Sequence, residues 1–117
     1  MLSNDVGFRI ISKMLDGCAL RHKVIAANLA NAETPGYRRL EVRFEDQLAR
    51  AVGEGDAKQI DDVAAEVVSG RGEMRPDGNN VDFGTELSDM TKNTMLFTTF
   101  AELAAARVRR YREAIGD

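Results

Sequence analysis

The stretch that decides the fold is Asn28–Arg39, NLANAETPGYRR. The residues before it read as one smooth helix. From Ser3, Asn4 and Asp5, which all offer N-caps, Ile11, Cys18, Ile25 and Ala32 recur every seven residues. Leu15, His22 and Leu29 form a parallel row, so the segment carries an apolar stripe broken only at His22. Gly7 and Gly17 each weaken such a helix by about 1 kcal/mol against Ala. Pro35 disfavours helical geometry at Thr34, so the helix is expected over about residues 5–33, roughly 40 Å long. Asn28 and Asn31 stand where their amides can satisfy the carbonyls left open at a helix end or reach a neighbouring helix. In the turn Thr34-Pro35-Gly36-Tyr37, Pro fixes the backbone and Gly permits positive φ. Tyr can then pack its ring while keeping its hydroxyl polar.

A second helix is expected after the turn Asp77-Gly78-Asn79-Asn80-Val81-Asp82, capped by Asn80 or Asp82. Phe83, Leu87, Met90, Thr94, Phe97, Ala101, Ala104, Val108, Tyr111 and Ile115 alternate steps of four and three, a heptad seam. Leu96, Phe100 and Leu103 add a second row, which one partner helix does not require. Between the helices, six of the ten glycines lie in residues 53–84. Val63–Met74 suits short strands or an extended arm, and Gly53–Asp62, acidic and weakly patterned, suits a mobile loop. The expected fold is mainly α, with long N- and C-terminal helices packed as a coiled-coil-like pair around an irregular or short-β centre. Its expected divisions are 1–37, 38–80 and 81–117.

Hydrophobic residues make up 44% of the 117 and charged residues 30%, aromatics only 6%, and there is no Trp. That favours helix-on-helix contact over a thick core. A net charge of −3 argues against a general nucleic-acid binder. A single cysteine allows no internal disulfide. The N-terminus does not read as a cleavable signal peptide, and no run approaches the ~20 apolar residues of a membrane span. Cys18 and His22, at i and i+4, do not complete a zinc site and read as packing residues. Asp77-Gly-Asn-Asn lacks the spaced acceptors and terminal Glu of a calcium loop and reads as a turn. No nucleophile elbow, metalloprotease motif or phosphate loop is present, so neither an enzyme nor a cofactor is expected. Arg107, Arg109, Arg110 and Arg112 suit the helix dipole, or acidic residues on a neighbouring copy.

Two long stripes in so short a chain exceed what it can cover by itself, so assembly is expected. Ile11, Leu15, Cys18, Ile25, Leu29, Leu87, Met90, Phe97, Ala101, Ala104, Val108, Tyr111 and Ile115 are the expected interface.

The stretch IAANLANAETPGYR resembles the N-terminal signature of the bacterial flagellar axial proteins, the rod and hook group. Asn28, Leu29, Ala30, Asn31, Thr34, Pro35, Gly36 and Tyr37 carry the match. Phe44-Glu45, Leu48 and the stretch from Asp77 to Phe97 resemble the short proximal-rod members. Phe97 departs from the tyrosine expected there. The resemblance implies a structural rod subunit, assembling into a helical tube that transmits torque from motor to hook. It also implies export through the flagellar type III apparatus and a place in the periplasmic part of the basal body. Implied partners are other copies, the rod proteins FlgC, FlgF and FlgG, the FliE adaptor and the export gate, with no nucleic acid. A small helical coiled-coil binding or regulatory module is the alternative.

Overall fold

A computed structural model describes residues 5–116. The proposed caps Ser3 and Asn4 lie outside the described residues. Helix α1 runs Val6–Ala30, and its N-cap is Asp5, whose carboxylate accepts from the Phe8 N–H at 3.2 Å. The helix stops at Asn31, earlier than Pro35 alone dictates, and residues 31–33 form a turn. Helix α4, Phe83–Ala114, is capped by Asp82, which accepts from the Thr85 N–H at 3.0 Å. The two helices are antiparallel: Asn93 of α4 reaches Cys18 of α1, and Arg107 reaches Asp5. The molecule measures 62 × 28 × 15 Å.

The centre is more ordered than its composition suggests. Strand β1, Leu40–Arg43, pairs antiparallel with β2, Glu66–Ser69, with Val42 opposite Val67. Between them lie α2, Glu45–Glu54, and α3, Ala57–Asp61, the latter within Gly53–Asp62, where a mobile loop was expected. Local chemistry explains the difference. Glu45 and Asp46 sit in the first turn of α2, Gly55 ends it at φ 71°, and Asp56 caps α3 through the Lys58 N–H. Leu48, Ala51, Ile60 and Val63 then close over Ile10 and Met14 of α1. Val24, Val42 and Phe44 form the adjoining cluster. The apolar core therefore lies between α1 and the central segment, not between the two long helices.

That placement corrects the expected interface. Ile11, Cys18 and Ile25 are buried within the chain itself. The expected seam of α4 is also rotated. The fully buried side chains of α4 are Glu86 and Asn93, one heptad apart and both polar. Met90, Ala101, Ala104, Val108 and Tyr111 are half-buried, while Phe83, Leu87, Phe97 and Ile115 are exposed. A polar row was invisible to a search for apolar periodicity.

Candidate functional site

The end of α1 and the start of α4 meet in a buried polar corner. Asn28 is wholly buried. Its Oδ1 accepts from the Leu40 N–H at 3.1 Å and the Tyr37 hydroxyl at 3.0 Å. Its Nδ2 donates to the Leu40 carbonyl at 2.8 Å and to Glu86 at 3.2 Å. One amide thus pairs with both backbone groups of Leu40, as a neighbouring strand would. Arg21 closes the same edge of β1 at the Val42 carbonyl, 2.7 Å away, while its other bonds hold Glu45. Side chains of α1 therefore take the place of a third strand.

Glu86, also wholly buried, is bonded by Arg39, whose guanidinium also holds Glu41 and, at 3.2 Å, Asp89. Burial opposes the Arg39 charge, but the bonds from Glu86 and Glu41 outweigh it and raise its pKa. Burial likewise pushes Glu41 up, and Arg39 more than offsets this, leaving its carboxyl below the usual range. Burial, then the Glu86 charge, raises the Tyr37 hydroxyl.

The Asp77–Asp82 turn locks onto the α1 end. Asn79 Nδ2 donates to the carbonyls of Asn31 and Thr34, both at 2.9 Å, and its Oδ1 accepts from the Val81 N–H at 2.7 Å. The Gly36 N–H donates to the Asp77 carbonyl at 2.9 Å. Asn31 donates to the Ala27 carbonyl at 2.8 Å, and Arg75 takes those of Ala32 and Val81. Most of these carbonyls lie in the turns just beyond α1 and before α4, where no helical partner is available. Gly36 and Gly78 adopt φ of 77° and 85°, which glycine alone takes without strain. The turn residues read from the sequence, Asn28, Asn31, Thr34, Pro35, Gly36, Tyr37, Asp77, Gly78, Asn79, Val81 and Asp82, thus fall into one corner. Asn80, read from the sequence as a possible cap, lies there too, and Arg39, Arg75 and Glu86, which were missed, complete it. Asn80 accepts from the Arg39 N–H at 2.5 Å.

Two stretches some forty residues apart form one corner, and known proteins match the chain across the span that holds both. A family model described as "Flagella basal body rod protein" matches residues 19–38, the α1 half of the corner. The "Flagellar basal body rod protein FlgB" of Cereibacter sphaeroides is 31% identical over 105 residues, 81% of this chain and 82% of its own length. The chain belongs to the FlgB family of flagellar basal body rod proteins. FlgB of Borrelia hermsii is 29% identical, covering 86% of this chain and 89% of its own. FlgB of Aeromonas hydrophila is 28% identical, covering 92% and 90%. FlgB membership makes the chain a structural rod subunit and disfavours a stand-alone coiled-coil regulator.

Elsewhere the chemistry is sparse. Cys18 is buried, which raises its thiol pKa, while His22 is exposed. Arg107 pairs with Asp5 at 2.7 Å. Arg109, Arg110 and Arg112 are exposed and make no ion pair among the described residues. No helix among the described residues is long and apolar enough to cross a membrane.

Proposed function

We propose that this FlgB-family subunit joins the rod through the face of the α1–α4 pair that its own chain leaves bare. The central segment covers one side of α1. On the other side, Leu15, Ala19, His22, Ala26 and Leu29 share a face at steps of four and three. Beside them on α4 run Leu87, Met90, Thr94, Phe97 and Ala101, with Leu87 45% and Phe97 42% exposed. This one observation carries the reading: along the middle of both helices these ten side chains include no carboxylate, lysine or arginine, and Lys23 stands at their edge. An uncharged helical surface of this kind calls for a partner. Of the expected interface, Leu15, Leu29, Leu87, Met90, Phe97, Ala101, Ala104, Val108, Tyr111 and Ile115 remain candidates.

The polar corner positions this surface by fixing α4 against α1. The natural occupants are other copies, FlgC, FlgF and FlgG above, and the FliE adaptor and export gate below, within the periplasm. Export without a cleaved signal, a purely structural role without catalysis or nucleic acid, and a division at about residues 37 and 80 belong to the same reading. Leu87→Lys tests it. The purified chain keeps its helicity, and cells carrying it assemble no rod and do not swim. Normal basal bodies in that strain refute the assignment.

A further inference from the structure

Helix α4 has two bare apolar flanks, one on each side of its contact with α1. On the first, a groove of about 400 Å³ opens between the helices. Cys18, Ala19 and His22 line it from α1, and Asn93, Thr94 and Phe97 from α4, with Lys23 at its rim. Asn93 is 3% exposed; its Nδ2 donates to the Cys18 carbonyl at 2.8 Å, but its Oδ1 has no hydrogen-bond donor among the described residues. On the opposite flank, Leu96, Thr99 and Leu103 form a row at i, i+3 and i+7, with Lys92 one turn before Leu96, and the two leucines are 39% and 46% exposed. Glu102 stands beside Leu103. Neither Lys23 nor Glu102 makes an ion pair among the described residues.

We propose that a second copy of this chain lays its Leu96–Leu103 row into the groove of the first, with its Glu102 meeting Lys23. This rests on the rod reading and names the copy-to-copy contact within it. Three features select this occupant. The groove is apolar, and its charged rim is positive. The opposite flank supplies apolar side chains at helical spacing with an acid beside them. The two surfaces are different parts of one helix on opposite sides of the chain. Each copy that fills a groove therefore leaves its own groove open, and the contact propagates without closing. A groove that paired with its own counterpart would instead stop at a dimer.

The test is a charge swap read by sedimentation of the full chain across a concentration series. The wild type is expected to form an open series of growing oligomers. Lys23→Glu and Glu102→Lys, each alone, set like charges opposite one another and weaken association about tenfold or more. The double variant restores the series. So does an equimolar mixture of the two single variants, because each then offers the other's complement. Unchanged association in the single variants, no restoration by the swap, a closed dimer, or no association at all overturns the contact. If the single variants associate normally while Leu87→Lys still abolishes the rod, this contact fails and the rod assignment stands.

Discussion

Asn28 satisfies four polar atoms with one amide: both backbone groups of Leu40, the Tyr37 hydroxyl and a Glu86 oxygen. Asn28→Ala strands several of them in the interior. We expect a loss of about 2–3 kcal/mol, measured by chemical denaturation. Glu86→Ala leaves Arg39 buried among fewer partners and costs about 3–5 kcal/mol. Replacing both, as Arg39→Met with Glu86→Leu, costs less than the two single changes summed. Stability also falls in acid. Asp5, Glu41 and Glu45 have folded pKa values below their ordinary ones, because bonds from Arg107, Arg39 and Arg21 outweigh burial. Their contribution is complete above the unfolded values, about 3.9 for Asp and 4.3 for Glu. It is lost as pH falls through the lower folded values, so Tm is flat from pH 7 to 5 and drops below about pH 4. Asn28, Asn31 and Tyr37 stood out in the sequence because constrained residue types clustered there. Glu86 and Arg39 did not, since a charged residue on a helix is ordinarily solvated and nothing local announces a buried partner 47 positions away.

Among the elements, the ends were legible and the middle was not. Capping residues and heptads located α1 and α4, although Asn31, not Pro35, ends α1. Helices α2 and α3 carry too few residues for a strong period, and their order comes from packing on Ile10 and Met14. Gly17 illustrates the same limit. It reads as a weak point in a helix, yet a Cβ there would press into the Phe44 ring closer than atoms can approach. Gly17→Ala gains helix propensity of about 1 kcal/mol but displaces Phe44 from the core. We expect a net loss of about 1–3 kcal/mol, seen as a lower denaturation midpoint. Pro35-Gly36→Ala-Ala acts at the corner instead. It places a side chain at φ 77° beside the Asp77–Asn79 turn. Helical circular dichroism should stay near wild type while rod assembly fails, and normal motility would show that the turn geometry is dispensable.

At the scale of the whole molecule, 62 × 28 × 15 Å is the shape of two long helices with a cover on one side. The sequence showed that the chain has more apolar helical surface than it can hide. It did not show which side stays bare, because that depends on where the central segment lands. Covering α1 with the centre buries Ile11, Cys18 and Ile25 and leaves Ala26, Leu87 and Phe97 outside. Rotating the inner row of α4 onto Glu86 and Asn93 turns its apolar residues to the flanks. Both shifts leave Leu87 and Phe97 of the expected interface on the surface of the chain. The most direct measurement is cysteine labelling at Ala26→Cys and Leu87→Cys, with Ala49→Cys on exposed α2 as the reference. In the free chain all three sites should react with a maleimide. In assembled basal bodies the first two should be protected relative to the third. Equal labelling of Ala26→Cys and Leu87→Cys in the free and assembled states would contradict the account.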